Sequence, residues 1–140
     1  MKELEMFKEK FRVNEMLIFE SEHWTWSLRP LQPTLGSGIL ALKRYAESFS
    51  DISEEEGKDL AVIVRVIEER LKHAFAYDKI NYLMLMMVDT HLHFHIIPRY
   101  SKTTEFEGIT WQDKGWPGPP SLEADEVSDD VLFAIQALLK

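Results

Sequence analysis

Apolar positions change their spacing several times along the chain, and each change predicts an element. The run Met16-Leu17-Ile18-Phe19 predicts a short strand. Trp24, Trp26 and Leu28 alternate with Thr25 and Ser27 and predict a second strand, with Ser27 facing away from the tryptophan row. The link Glu20-Ser21-Glu22-His23 is short enough for an antiparallel hairpin. Pro30, Pro33, Gly36 and Gly38 punctuate a loop over 29–38, and a third strand follows at 39–42. The spacing then becomes helical. Leu60, Ile63, Val64, Ile67 and Leu71 form one stripe, entered through a capping box of Ser53 and Glu56 and ending near Phe75 or Tyr77. Residues 81–88 are apolar almost throughout and predict a strand covered on both faces, whose methionines serve packing. Only Asp89 and Thr90 separate this run from the next strand, as in a tight antiparallel pair.

In that next strand His91, His93 and His95 alternate with Leu92, Phe94 and Ile96, and Pro98 is expected to end regular pairing. Residues 101–127 are rich in glycine and proline and predict an irregular segment. Ser128 caps a final helix over 128–139. Residues 1–12 suit either a short amphipathic helix or a loose surface segment. The whole predicts one α+β domain over 1–140, its core at about 13–100. It holds an antiparallel sheet of about five strands, one long helix and a C-terminal helix.

Composition narrows the function. The net charge of −8 argues against a nucleic-acid binder, and an anionic substrate would need positive potential supplied locally against that field. With no cysteine, disulfides and thiolate metal sites are excluded. No apolar run approaches a membrane span and no apolar leader is visible, so a cytoplasmic location is the default expectation.

The histidine row is the candidate chemistry. Side chains at i, i+2 and i+4 of a strand leave one face, about 6.6 Å apart. Burying three imidazoles together is costly, because their charged forms repel and each ring needs partners for two nitrogens. A neutral imidazole held by one nitrogen presents the other lone pair at a fixed angle. It can attack phosphorus to form a covalent phosphoramidate, while neighbouring rings donate to the non-bridging oxygens. A metal site fits less well: the outer two Cα atoms of the row lie about 13 Å apart, so an ion would use two histidines with help from Asp89 or His23.

The stretch His91-Leu92-His93-Phe94-His95-Ile96-Ile97, followed by Pro98-Arg99, resembles the signature of the histidine triad (HIT) superfamily. Arg29-Pro30, Pro33, the run from Gly38 to Arg44, the helix entry at Asp51 to Glu56, and Trp116-Pro117-Gly118-Pro119 are similar to further parts of that family's pattern. The resemblance implies a HIT-like α+β domain that pairs into a homodimer and acts on the α-phosphate of a nucleotide without a required cofactor. By position, His93 would be the nucleophile, the backbone of His91 would orient it, and His95 would contact the phosphate. Ser27 would bind the ribose, and Phe19 and Leu28 would hold the base.

The chain departs from the pattern just before the row. Met86 to Thr90 replace the usual Gly-rich segment ending in Gln or Ser, and only Thr90 offers a hydroxyl. Gly36-Ser37-Gly38 stands where Pro-Gly-His is frequent. Arg99 and Lys102 are candidate sources of positive charge for a polyphosphate. The resulting expectation is a hydrolase or nucleotidyl transferase acting on dinucleoside polyphosphates or nucleoside phosphoramidates through His93. The alternatives are a non-catalytic nucleotide-binding module and a histidine-metal enzyme.

Overall fold

A computed structural model describes residues 1–140. The chain forms helix α1 (Lys2–Lys10), strands β1 (Leu17–Glu20), β2 (Trp24–Leu28) and β3 (Gly38–Leu42), and the long helix α2 (Glu54–Phe75). Strands β4 (Lys79–Leu83) and β5 (His93–Arg99), the short pair β6 (Thr104–Phe106) and β7 (Ile109–Trp111), and helix α3 (Asp129–Leu139) complete it. Five strands make one sheet in the order β1-β2-β3-β5-β4, antiparallel at every pairing. No helix is long and apolar enough to cross a membrane.

Local chemistry accounts for the long helix. The Ser53 side chain accepts from the Glu56 backbone N–H while the Glu56 carboxylate accepts from the Ser53 N–H, closing the expected capping box. At the other end Ala76 adopts a left-handed conformation and stops the helix after Phe75. Ile63, Ile67 and Leu71 are fully buried against Trp24, Trp26, Leu28, Leu40, Leu42, Leu92 and Ile96. This is the main core, and it lies on one face of the sheet.

The other face carries a smaller cluster: Phe7, Phe11, Val13, Ile39 and Ala41. Register fixes which side chains share it. Thr25, Ala41 and His93 form one row across β2, β3 and β5, and Ser27, Ile39 and His95 form the next. Helix α1 lies over these rows through Phe7 and Phe11, resolving the two readings of residues 1–12 in favour of a helix.

Four expectations are corrected. The strand predicted over 81–88 is shorter: β4 stops at Leu83, and Met87 and Val88 are 85% and 83% exposed. The last pair of the ladder is Leu83 with His95, and the chain leaves the sheet after it, so Met84 and Leu85 do not pair with Phe94 and His93. The two-residue turn at Asp89-Thr90 is therefore a loop over 84–92, in which Met86 adopts positive φ. Pro98 does not end pairing, since it stands opposite Ile80 and the strand runs on to Arg99. Its carbonyl faces the Thr34 hydroxyl at 2.6 Å, so its missing N–H also points away from β4 and no ladder bond is lost. The irregular segment 101–127 holds the β6–β7 hairpin, turned at Glu107-Gly108 where both residues have positive φ.

Candidate active site

Strand β5 and the residues just before it present the histidines under α1. His91, His93 and His95 are 2%, 1% and 7% exposed. Each has a different hydrogen-bonding state, and the differences assign different capacities.

His91 is fully engaged. The Ala46 N–H donates to its Nδ1 at 3.4 Å, so its proton sits on Nε2, which donates to the Leu42 carbonyl at 2.8 Å. The Tyr45 ring stacks on it with centroids 5.4 Å apart. Neither nitrogen is left for chemistry. Its backbone carbonyl accepts from His93 Nδ1–H at 2.6 Å. This bond fixes the His93 tautomer and leaves the Nε2 lone pair of His93 bare. His95 stands edge-on to His93, with ring centroids 5.0 Å apart, and its Nδ1 is buried without a partner.

Burial is the largest influence on all three rings and disfavours the imidazolium. It pushes His91 and His93 below the ordinary imidazole value. His95 falls to about 4, with His93 and Arg29 adding to the effect of burial. The row is therefore neutral at physiological pH, and His93 holds the neutral ring and open Nε2 lone pair that nitrogen nucleophiles require.

Helix α1 closes over this row. The Phe7 ring lies 5.0 Å from His91 and 4.9 Å from His93, and the Phe11 ring lies 5.8 Å from His93 and 6.0 Å from His95. Lys10, at the end of the helix, bonds both Asp89 oxygens, at 2.8 and 3.0 Å, and ties α1 to the 84–92 loop. Clefts remain at both ends of the covered row. On the His91 side a cavity of about 260 Å³ is bounded by Phe7, Lys10, Asp89 and Thr90. On the His95 side a cavity of about 300 Å³ is bounded by Lys10, Phe11, Arg29, Leu31 and Asp89.

The other sequence candidates divide. Ser27 lies on the histidine face, fully buried with an unpartnered hydroxyl, but Ile39 stands between it and His95. Thr90 borders the His91-side cavity, and its Oγ1 lies 3.1 Å from the Tyr45 hydroxyl. Phe19 and Leu28 are not brought to the histidines. Phe19 pairs with Trp26 and Leu28 with Gly38, which puts both on the α2 face, Leu28 in the main core and Phe19 under Arg70. The base-holding role is corrected for both, because β-strand alternation sends them to the opposite side from His93. Arg99 is likewise removed from the row. It is buried in an ion pair with Asp113 at 2.7 and 3.0 Å and donates to Asn81 at 2.8 Å. Four residues of strand separate it from His95, about 13 Å.

Residues that sequence reasoning did not place here are Phe7, Phe11, Lys10, Tyr45 and Arg29. The spacing of Phe7 and Phe11 by one helical turn was the available signal. Of the metal alternative, the geometry shows that His91 has both ring nitrogens occupied. No three or more His, Cys, Asp or Glu side chains cluster so as to hold an ion.

Comparison with known proteins places the chain. In a curated relative, the protein transport protein SEC24 of Yarrowia lipolytica, 109 residues are 28% identical, covering 76% of this chain. The chain spans only 11% of that protein, so the match carries no activity across. Solved structures share the fold. A histidine triad protein from Sinorhizobium meliloti superposes with a TM-score of 0.71 at 20% identity, covering 91% of this chain and 90% of that one. One from Bradyrhizobium japonicum gives 0.69 at 19% identity, covering 91% of each. A hypothetical histidine triad nucleotide-binding protein from Sulfolobus tokodaii gives 0.65 at 22% identity, covering 89% and 80%. The family profile of the HIT domain matches residues 15–102, well over half the chain and including the whole histidine row. The chain belongs to the HIT domain family.

Proposed function

We propose that the protein is a nucleotide hydrolase or nucleotidyl transferase that attacks an α-phosphate through His93. Family membership supports nucleotide-binding chemistry of this kind in general terms. The observation that carries the specific reading is the 2.6 Å bond from His93 Nδ1–H to the His91 carbonyl, which leaves Nε2 unprotonated and directed. In the first step the Nε2 lone pair forms a bond to phosphorus, and the bond from phosphorus to the leaving group breaks, the leaving group keeping the electron pair. The ring becomes formally cationic, and the same carbonyl contact stabilises the charge on Nδ1–H. Water then attacks phosphorus, the N–P bond breaks, and its proton leaves to solvent as neutral His93 is restored. His95, beside His93, supplies a ring to the non-bridging oxygens.

A second reading is favoured by one observation. His93 borders neither of the cavities at the two ends of the row, and the Phe7 and Phe11 rings cover it. A protein that kept this cover in place would bind nucleotide without turnover. In the catalytic reading α1 lifts to admit the phosphate. The proposal also takes the protein as a homodimer, for which the outer edge of β4 offers unpaired backbone; sedimentation of the purified protein reads this directly.

Nucleotide release from diadenosine tetraphosphate and from an adenosine phosphoramidate, with a chelator present, tests the function. Turnover in the wild type that drops about 10³-fold or more in His93→Ala supports the catalytic reading. Saturable nucleotide binding with no release supports the binding module.

A further inference from the structure

Arg29 is a cation without a counter-charge. It follows β2 directly, and it takes part in none of the ion pairs of the structure. Its Nη1 donates to the Leu31 carbonyl at 3.0 Å, while its Nε–H is buried with no partner. A buried guanidinium N–H left unsatisfied is costly, and native proteins rarely tolerate it without a ligand or function. The second unsatisfied group nearby is His95 Nδ1. Both residues border the same cavity of about 300 Å³ on the far side of the row from His91. That volume is at the small end of ligand pockets.

The other charges there are Lys10 and Asp89, and these satisfy one another. The Arg29 charge is therefore the uncompensated one, in a chain whose net charge is −8. Phe11, Pro30, Leu31 and Val88 supply the apolar remainder of the wall.

We infer that Arg29 forms a receptor for a second phosphoryl group of the nucleotide, separate from the one that His93 attacks and the His95 ring contacts. Guanidinium suits this target because its planar fork donates two parallel hydrogen bonds to phosphate oxygens. The inference rests on the nucleotide reading of the same site and adds a selection: mononucleotides with one phosphate are poorer ligands than those with two. The second phosphate has two possible sources, the next position of a polyphosphate chain or a phosphate on the ribose.

Equilibrium binding of AMP, ADP, adenosine 2′,5′-bisphosphate and adenosine 3′,5′-bisphosphate to wild type, Arg29→Ala and Arg29→Lys separates the outcomes. The inference expects ADP or one of the bisphosphates to bind at least about tenfold tighter than AMP in the wild type. That gain should vanish in Arg29→Ala, be only partly restored in Arg29→Lys, and leave AMP affinity nearly unchanged. Gain with ADP identifies the polyphosphate chain, and gain with a bisphosphate identifies the ribose. AMP binding with no gain from any second phosphate, or a gain that survives Arg29→Ala, overturns the inference while leaving the nucleotide reading intact. Failure of all four to bind overturns both. A gain that Arg29→Ala abolishes, in a protein that never releases nucleotide, keeps the receptor and rejects only the hydrolytic reading.

Discussion

Against one face of the sheet α2 lays Ile63, Ile67 and Leu71, all fully buried among two tryptophans and a continuous aliphatic layer. Against the other, α1 lays two phenylalanines on a five-residue cluster and three imidazoles, fastened by the exposed Lys10–Asp89 pair. The first arrangement excludes water over a wide apolar area and cannot open without unfolding. The second can open, because a nine-residue helix has little intrinsic stability in water and few apolar contacts to lose. Stability and the proposed chemistry are thus divided between the two faces of the sheet. Leu92, Phe94 and Ile96 serve the first side, while His93 and His95 serve the second.

That division can be broken at either face. Ile67→Ala leaves a void in the main core and should cost about 2–5 kcal/mol of unfolding free energy by denaturant titration, with the site chemistry of the folded fraction retained. Phe7→Ala should cost less than Ile67→Ala, since α1 can detach while the sheet survives. It should also make His93 more reactive toward an imidazole-modifying reagent. Equal costs at the two positions would mean that α1 is an integral part of the core. In hydrogen exchange of the wild type, α1 amides should exchange by local opening well before those of α2.

Acid should weaken the histidine face in a predictable direction. Because His91, His93 and His95 titrate below the ordinary imidazole value when folded, the unfolded chain binds more protons as pH falls. Their neutral forms favour the fold fully above about pH 6.5, and stability declines from there toward the His95 value of about 4. Urea midpoints between pH 7.5 and 5 should fall, and a rise over that interval would contradict the neutral assignment. The activity profile should keep its plateau through pH 7 and lose rate only below the ordinary imidazole range. The smallest effect belongs to the tether. Lys10→Ala removes a surface ion pair and should change global stability by less than about 1 kcal/mol, while accelerating exchange in α1.

Much of the architecture was legible in the chain because local rules and burial agree there. The capping box at Ser53 and the aliphatic stripe of α2 point the same way, and the alternation in β2 and β5 assigns Ser27, His93 and His95 to one face. The misplacements arose where tertiary pairing overrides composition. Residues 84–88 are apolar enough for a strand, yet the ladder with β5 ends at Leu83 and they form a loop in which Leu85, Met87 and Val88 are exposed. Phe19 and Leu28 are apolar residues near the right loop, but a period of two sends them to the α2 face. Arg99 reads as a free cation until Asp113 arrives from 14 residues later to neutralise it. Arg29 reads as an ordinary loop residue until its unpartnered N–H is seen beside His95.

The central claim is that His93 Nε2 is a nucleophile on the face that opens. Rapid mixing with diadenosine tetraphosphate, acid-free quenching and intact-protein mass measurement tests it most directly. The account predicts a transient increase by one adenylyl group in the wild type, decaying with water attack and absent from His93→Ala. Turnover undiminished in His93→Ala, or an adduct of the same mass in that variant, would place the chemistry elsewhere and contradict the account.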